Sequence, residues 1–361
     1  MKKMLAMLLG AAVVLSSTAC GSAEKTEPPT TVAKDAKSDA QSAQPAQEQE
    51  KAAEVDGYIL RLGTDAVGGT ANTALEAMSA VVNQNTGLKT STVVTTGAVE
   101  IINLINSGEL EGGYAGTINL IQALNGEAPF AGPVPVEAMT QGFGFVSWML
   151  PVITTEDKGI HSYEELEGRT VAFPQQGSAS AEVMKVLFDC YGLTGKVNIE
   201  YFGWNDAWEA LKDGRVDAAC GSWANGLPAS GIIELCTTRD IVILSVSEEV
   251  AKKLGEVNDG IAYQGMTSQN DPSIPEGEER FAARNSGVCV FGADVEEEVV
   301  YQFVKTCLDN VEALGNISQD LAVFKDYVTS VCVPSVPFHP GAARALKEAG
   351  LWDDRFTVYG E

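Results

Sequence analysis

"LGTDAVGGTANTALEAM", residues 62–78, joins an apolar strand to a helical segment through a glycine-rich turn. Leu75, Met78 and Val82 follow the turn at three- and four-residue steps, which predicts a helix with one buried face. The stretch therefore predicts a strand, a turn and a helix in succession. A turn of this kind places main-chain N–H groups at the start of the helix, where they lack helical partners.

The glycines of this turn do not form a nucleotide-binding fingerprint. Gly63, Gly68 and Gly69 depart from the G-x-G-x-x-G spacing, and no acidic residue ends the next strand. The later stretch "GSAS", residues 177–180, contains serines but has neither the glycine frame of a nucleophile elbow nor a nearby histidine. The turns therefore indicate neither a dinucleotide fold nor a serine hydrolase.

The strand, turn and helix unit recurs along the chain. Residues 95–116 can be laid over residues 201–222 without gaps. The matched positions include Gly97 with Gly203, Gly108 with Gly214, Leu110 with Val216, and Glu111 with Asp217. Internal similarity of this kind predicts two similar α/β halves. A simple strand-to-helix connection remains the alternative for any single turn.

Strands that alternate with helices predict mostly parallel sheets, whose ligands bind outside the carboxyl ends of the strands. The helix N-termini at these ends attract anions. We therefore expect four turns to face one another across a cleft between two lobes. They lie at residues 62–70, 95–99, 174–180 and 203–208.

The N-terminal segment carries the features of an export signal. Residues 1–20 contain a cationic start, an apolar run too short to span a bilayer and small residues before Cys20. This layout predicts a lipoprotein signal peptide with an acylated Cys20, although Ser17 stands where the usual lipobox has leucine. An ordinary secretory signal is the alternative. Residues 21–56 lack large apolar side chains, which predicts a disordered linker.

The remaining chain is long enough for two domains of ordinary size. We assign residues 57–150 and 285–361 to lobe 1 and residues 151–284 to lobe 2. The apolar stretch "GFGFVSWMLPVITT" and the later "SGVCVFG" are predicted strands that cross between the lobes. Two such crossings predict a two-strand hinge that can close over a ligand.

Composition excludes several functions. The net charge of −25 and the lack of a basic stripe argue against nucleic-acid binding. His161 and His339 are the only histidines, which leaves little material for a metal site or a catalytic triad. Six cysteines follow Cys20 without a C-x-x-C pair, so most are interpreted as buried small residues, with one disulfide possible. No cofactor or metal is predicted.

The chain resembles the solute-binding receptors of the TAXI class of tripartite ATP-independent periplasmic (TRAP) transporters. The resemblance covers residues 57–361. Its most specific motifs are "LGTDAVGGT", "GIHSYEELEGRTVAF", "LKDGRVDAACGSWANGLP" and "VPFHPGAARALKEAG". It implies an α/β fold with two periplasmic-binding-protein-like lobes, a two-strand hinge and an interlobe cleft.

The resemblance also implies which residues bind the ligand. Carried over position by position, these are Gly69, Thr70, Asn72, Thr96, Gly97, Thr117, Gln176, Gly177, Ser178, Trp204 and Trp223. Backbone amides and hydroxyls would hold a carboxylate, and the two indoles would cover apolar surface. Family members are associated with glutamate, glutamine, 2-oxoglutarate and small dicarboxylates.

This chain departs from the family pattern at two helix starts. Ala71 and Asn72 stand where a tyrosine pair is usual, and Ala98 and Ile101 stand where serine and asparagine are usual. These departures suggest a different or more apolar solute.

Three hypotheses follow. The first is a lipid-anchored extracytoplasmic receptor that presents an anionic or zwitterionic solute to TRAP permease subunits. The second is the receptor of an ATP-driven importer, because the two-lobe architecture is shared. The third is an exported enzyme, for which Asp65, Glu100 or Asp206 would have to act as a general base. We interpret these three acids as helix caps or solvated carboxylates, so no catalytic residue is predicted.

Overall fold

The computed structural model describes Val55 and residues 57–361. The predicted signal peptide, Cys20 and nearly all of the predicted linker lie outside the described residues. Val55 was assigned to the linker, but it is buried in a hydrophobic core, and its carbonyl oxygen accepts a hydrogen bond from Tyr58 N at 3.0 Å. The folded body therefore begins before the predicted boundary at residue 57.

The described chain forms two mixed sheets. The strands are, in chain order, β1 (Ile59–Thr64), β2 (Lys89–Val94), β3 (Gly112–Gly116), β4 (Thr140–Leu150), β5 (Val152–Thr155), β6 (Thr170–Pro174), β7 (Asn198–Phe202), β8 (Ala218–Cys220), β9 (Trp223–Ala224), β10 (Leu227–Pro228), β11 (Ile241–Ile243), β12 (Ala262–Met266) and β13 (Arg280–Phe291). The first sheet has the order β10-β9-β4-β13-β3-β1-β2, with β12 paired to β13. The second sheet has the order β11-β5-β8-β6-β7.

Helices follow most of these strands. They are, in chain order, α1 (Thr70–Asn85), α2 (Ala98–Asn106), α3 (Thr117–Asn125), α4 (Ala179–Cys190), α5 (Trp204–Lys212), α6 (Ser230–Cys236), α7 (Glu248–Val257), α8 (Glu297–Asp309), α9 (Val311–Ile317), α10 (Phe324–Tyr327) and α11 (Pro340–Glu348). Short 3₁₀ turns occur at Val136–Ala138, Glu156–Lys158, Glu164–Leu166 and Gln319–Val323. Within the described chain, none of these helices combines the length and apolar character needed to cross a bilayer.

The two sheets contain the same parallel unit, which confirms the predicted internal repeat. In the first sheet β1 lies between β2 and β3, and in the second β6 lies between β7 and β8, all in parallel pairs. The helices α2 and α5 at matched positions each have nine residues. The glycines that follow them, Gly108 and Gly214, have φ angles of 75° and 74°.

The matched acids of the repeat are structural. Glu111 Oε2 accepts a hydrogen bond from Arg61 N at 2.7 Å, and Asp217 Oδ2 accepts one from Thr170 N at 3.0 Å. Glu111 therefore links β1 to the turn before β3, and Asp217 links β6 to the turn before β8. Neither acid lines the cavity between the sheets.

Two long strands connect the sheets, as predicted. β4 of the first sheet is separated from β5 of the second by Pro151 alone. β13 begins beside the second sheet, where Val246 N donates to Phe281 O at 2.7 Å, and ends against β3 of the first. β4 and β13 pair along most of their length, so they form one ribbon between the two α/β units.

Strands β9, β10 and β12 pair within the first sheet, although the sequence assigned their residues to lobe 2. The chain leaves β8 of the second sheet and reaches β9 after two residues. β9 and β10 give weak sequence signals, because two residues cannot show an alternating pattern. The sequence prediction missed the β9–β10 hairpin, and therefore also missed that Trp223 is buried.

Separate hydrophobic cores support the two sheets. The predicted face of α1, Leu75, Met78 and Val82, lies in the core of the first sheet. The corresponding face of α4, Val183, Leu187 and Cys190, lies in that of the second. All six cysteines of the described chain are free thiols, and Cys236 alone among them is exposed. The interpretation of most cysteines as buried small residues is confirmed.

Two sequence signals predict helix ends that the structure shifts. Asp294, followed by the acids at 296–298, predicts a helix start, but α8 begins at Glu297 after an N-cap at Glu296. Pro340 and Gly350 predict the start and end of a helix, and α11 begins at Pro340 and ends at Glu348. His339 caps this helix by accepting a hydrogen bond from Gly341 N at 3.2 Å, so it is a structural residue.

Candidate ligand-binding site

A cavity of about 540 Å³ lies between the two sheets. The four predicted turns all contribute to its wall, so the parallel strands of both sheets point their carboxyl ends toward it. Of the predicted ligand-binding residues, those that line it are Gly69, Thr70, Thr96, Gly97, Gln176, Ser178 and Trp204. Those that do not line it are Asn72, Thr117, Gly177 and Trp223.

The first turn, residues 66–69, lies between β1 and α1. Gly69 N donates to Ala66 O at 2.9 Å, and Gly68 has a φ of 82°. This combination is a type II turn, in which the third residue needs a positive φ that glycine adopts without strain. The turn brings the backbone of Gly69 and Thr70 to the cavity wall.

The second turn, residues 175–178, has the same backbone form. Ser178 N donates to Gln175 O at 3.1 Å, and Gly177 has a φ of 86°. Gly177 therefore contributes conformation, and its neighbours Gln176 and Ser178 face the cavity.

The two turns differ in the side chain that accepts a hydrogen bond from the main-chain N–H three residues after the N-cap. In the first turn the Asp65 carboxylate accepts the hydrogen bond from Asn72 N at 2.9 Å. In the second turn the Ser178 hydroxyl accepts it from Ala181 N at 3.2 Å. A negative charge already occupies the N-terminus of α1, whereas a neutral group caps α4.

Asp65 is the only formally charged side chain among the described residues that line the cavity. Burial raises the pKa of its carboxyl, and the hydrogen bond from Asn72 N opposes that shift only in part. Within the described residues Asp65 forms no ion pair. The interpretation of Asp65 as a helix cap is confirmed, but its carboxylate also faces the cavity.

The turn before α2 is held by Glu100. Its Oε2 accepts hydrogen bonds of 2.7 Å from both Thr96 N and Thr96 Oγ1, which lower the pKa of this exposed carboxyl. Gly97 has a φ of 138°, which excludes most other residues. Glu100 is a cap, as expected, and the hydroxyl of Thr96 is already engaged.

Four aromatic side chains form the apolar part of the wall. Tyr114 and Trp148 meet edge to face with ring centroids 6.1 Å apart, and Trp204 and Trp208 lie 5.6 Å apart. Trp208 is 4% exposed and its Nε1 donates to Cys220 O at 2.9 Å, so it is a core residue that also borders the cavity. Trp204 lines the cavity beside it.

The sequence prediction missed Tyr114 and Trp148. Tyr114 lies on β3, the strand that precedes α3, and Trp148 lies on the strand that leaves the first sheet. An aromatic residue near the predicted hinge was the available signal for Trp148, since hinge strands border the cleft. The stretch "GGYAG" gave no such signal for Tyr114, because a tyrosine in a short apolar strand usually packs in the hydrophobic core.

Asn72 supports the first turn and does not face the cavity. It is 1% exposed, and its Oδ1 accepts from Gly68 N at 3.1 Å. Its Nδ2 donates to Thr64 Oγ1 and Glu76 Oε1, each at 3.0 Å. Both amide donors and the acceptor oxygen of Asn72 are therefore engaged by residues in and beside the turn.

Thr117 belongs to the junction at the base of the cleft. It is 2% exposed, and its hydroxyl donates to Gly260 O at 2.6 Å and accepts from Ser286 N at 3.2 Å. Thr117 therefore ties α3 to β13. Its buried position is incompatible with direct contact to a solute in the cavity.

Trp223 is fully buried on the first sheet, where it pairs across from Met149. Its Nε1 donates to Asn270 O at 3.2 Å. The family resemblance implied a place for Trp223 on the cavity wall, but the β9–β10 hairpin holds the residue in the first sheet, away from the wall. Trp148 forms the aromatic wall at this end of the cleft in its place.

Among the described residues no cluster of three or more His, Cys, Asp or Glu side chains could hold a metal. Asp206, the third candidate base, is exposed and does not line the cavity. The groups on the wall are thus main-chain N–H groups, hydroxyls, side-chain amides, aromatic rings and one carboxylate. This set can bind and orient a small solute through hydrogen bonds and apolar contact.

Solved structures with this architecture are numerous. The structure of MatC (Rpa3494) from Rhodopseudomonas palustris with bound malate matches with a TM-score of 0.50 at 13% identity, covering 83% of this chain and 99% of that one. The aliphatic sulphonate binding protein SsuA from Escherichia coli matches with a TM-score of 0.43 at 15% identity over 81% and 91% of the two chains. The fold is the two-lobe fold of periplasmic binding proteins, with a hinge and an interlobe cleft.

Residues 62–350 match the NMT1-like family. The chain belongs to this family.

Proposed function

We propose that the chain is an exported receptor that binds a small organic solute between its two sheets and delivers it to a membrane permease. The carrying observation is the cavity of about 540 Å³, onto which helix N-termini from both sheets converge. Small-molecule sites typically measure about 300–1,000 Å³ and combine apolar walls with a few placed polar groups. The ribbon of β4 and β13 supplies a hinge about which the two units can close.

The solute we propose is a small organic acid or amino acid. The N-cap of α5, Gly203, makes no side-chain capping bond, and the N-cap of α4 is a neutral serine. N–H groups at such ends favour a carboxylate. The resemblance to TAXI receptors supports the same class, which includes glutamate, 2-oxoglutarate and small dicarboxylates, and MatC was solved with malate in a comparable fold.

The permease we propose is of the TRAP type. The four motifs that carry the resemblance to TAXI receptors support this assignment. An ATP-driven importer is the alternative, because its receptors share the fold. The genes beside this one distinguish the two: a fused multispanning permease without an ATPase supports the TRAP assignment, and a permease with an ATPase contradicts it.

Attachment through Cys20 is a further part of the proposal. The signal sequence and the polar linker of residues 21–56 support a lipid-anchored, extracytoplasmic location. Labelling with a clickable palmitate analogue should mark the wild-type chain and leave Cys20→Ser unmarked. Equal labelling of both proteins would contradict acylation at Cys20.

We propose binding without turnover. Asp65 is the one carboxylate on the described wall, and no histidine, lysine or arginine of the described chain accompanies it there. Recovery of every bound solute chemically unchanged after long incubation is the expected result. Turnover that disappears in Asp65→Asn would contradict a purely binding role.

Calorimetry on the full chain tests the binding function. We expect one amino acid or organic acid from a broad panel to bind with one-to-one stoichiometry and to raise the melting temperature, because a ligand at 100 times its Kd adds roughly 2.7 kcal/mol to the free energy of unfolding. Ser180→Trp should abolish this binding, because Ser180 lines the cavity. Ser107→Trp, at an exposed position after α2, is the matched control. Binding that survives Ser180→Trp would place the site elsewhere.

A further inference from the structure

We propose that the solute carries a protonated amine and that Asp65 is the counter-charge that holds it. This inference rests on the proposed binding function and names the solute class: a zwitterion such as an amino acid, in preference to a dicarboxylate.

The charge on the wall is the first observation. Asp65 Oδ1 accepts the hydrogen bond from Asn72 N at 2.9 Å, and Asn72 is the one other residue of the described chain that donates to this carboxylate. A carboxylate that is partly removed from water is stabilised by a nearby cation, and a charge-assisted hydrogen bond to an ammonium group supplies one. The described wall offers no cation of its own, so the solute has to bring it.

Two arginines of the described chain lie on strands that lead to the cavity, and neither is on its wall. Arg61, on the strand that leads to Asp65, pairs with Glu111. Arg284, on the hinge strand β13, does not line the cavity. Within the described structure, no lysine, arginine or histidine side chain lines the cavity with Asp65.

The aromatic rings beside Asp65 are the second observation. Tyr114 lines the cavity close enough to Asp65 that the carboxylate contributes to the raised pKa of its hydroxyl, after the larger effect of burial. Trp148 packs edge to face against Tyr114. The faces of such rings attract cations within about 6 Å of the centroid, and tryptophan does so most strongly. Ring faces and a carboxylate together suit an ammonium group.

The charge of the whole chain is the third observation. A formal net charge of −25 attracts cations toward the surface and repels dianions. A solute with one positive end approaches this protein more readily than a dicarboxylate of equal size. The N-cap residues of α4 and α5, Ser178 and Gly203, are uncharged and line the cavity, so they remain available for the carboxylate of a zwitterion. Asp206, in the first turn of α5, is exposed and does not line the cavity.

Matched pairs of solutes test the inference on the wild-type full chain. Each amino acid is titrated beside the analogue that lacks only its amine: glutamate with glutarate, aspartate with succinate, and leucine with 4-methylpentanoate. The best binder should be the amine-bearing member of its pair, by about 30-fold or more. If glutarate or succinate binds more tightly than its amino partner, the inference is overturned while the binding function stands.

The variant Asp65→Asn isolates the carboxylate. Asparagine keeps an oxygen for the hydrogen bond from Asn72 N, so the turn is preserved. We expect the affinity for the amine-bearing solute to fall about 30-fold and that for its analogue to stay level or rise. Asp189→Asn, an exposed acid near the end of α4 and outside the cavity, should change neither affinity. Equal affinities in wild type and Asp65→Asn would overturn the inference, and binding of no solute at all would overturn the proposed function together with it.

Discussion

The turns before α1 and α4 share one backbone and differ in charge. Both are type II turns with a glycine of φ 82° or 86° before the N-cap, and both follow the central strand of a parallel unit. The residue before the first turn is Asp65, and the residue before the second is Pro174. One position therefore decides whether the helix end that faces the cleft carries a carboxylate.

This difference teaches that a repeat of topology does not imply a repeat of chemistry. In the first turn a carboxylate satisfies Asn72 N, and in the second the Ser178 hydroxyl satisfies Ala181 N. The helix is capped in both cases, so the fold does not distinguish them. A solute between the two turns meets a negative side and a neutral side whose helix end favours anions.

Ser178→Asp should have the largest effect, because it makes the second turn as negative as the first. Aspartate is a good N-cap, so α4 should remain intact. The affinity for a zwitterionic solute should fall about 10- to 100-fold, since the new carboxylate repels that of the solute across a partly dry cavity. Calorimetry with the best-binding solute measures the effect.

Ser247→Asp is the control for that variant. Ser247 caps α7 by accepting a hydrogen bond from Val250 N at 3.3 Å and does not line the cavity. The same substitution there adds the same charge and should leave affinity unchanged. An equal loss in both variants would mean that net charge, and not the second turn, governs binding.

Gly69→Ala should have the next largest effect. A Cβ at this position would lie 2.8 Å from both carboxylate oxygens of Asp65, so the carboxylate has to move. We expect roughly a 3- to 10-fold loss of affinity for an amine-bearing solute, because a displaced charge pairs less well. Gly255→Ala, within α7 and outside the cavity, is the control, because apart from neighbouring residues of the helix no heavy atom lies within 4 Å of the added Cβ. Its affinity should stay near the wild-type value, and a loss there as large as in Gly69→Ala would contradict the role of Asp65.

Ser178→Ala should affect stability more than binding. It removes the acceptor for Ala181 N, and loss of an N-cap costs about 1 kcal/mol of unfolding free energy. Urea unfolding measures this loss. An unchanged midpoint would show that the hydroxyl does not cap α4 in solution.

The smallest effect is the pH dependence of the first turn. Because burial raises the pKa of Asp65 above 3.8, the folded state binds a proton more readily than the unfolded state. The free energy of unfolding of the wild type should therefore fall as the pH rises from the unfolded pKa of Asp65 to its folded pKa. Asp65→Asn lacks this titration, so its stability relative to wild type should increase across the same pH range. Urea unfolding at several acidic pH values measures this difference. For Ser178→Ala the difference from wild type should not change with pH.

Much of the fold could be predicted from the sequence because its signals are periodic and repeated. Gly97 and Gly203 mark the starts of two helices of equal length, and the alignment of the two units located both. Long apolar stretches likewise revealed the strands of the hinge. Helix boundaries were less certain, because Asp294 and Glu296 are both acceptable residues near a helix start.

The candidate site was harder to predict, because side-chain direction depends on tertiary contacts. Trp148 lies on a predicted hinge strand and Trp223 directly follows a strand of the second sheet, but a two-residue strand buries Trp223 whereas Trp148 reaches the cavity. Asn72 and Thr117 stand at helix starts, where polar residues often face a ligand, yet both are consumed by hydrogen bonds within the protein. Nothing in the local sequence distinguishes these outcomes.

The most direct test of the account is the carboxyl titration of Asp65, followed by ¹³C NMR in the free protein and with saturating solute. The solute is the tightest binder from the calorimetric panel. A bound ammonium group should lower the pKa of Asp65 by about one unit or more, because an opposite charge within 4–6 Å favours the ionised carboxyl. A pKa that rises on binding would show that the solute presents negative charge to Asp65, and would contradict the account.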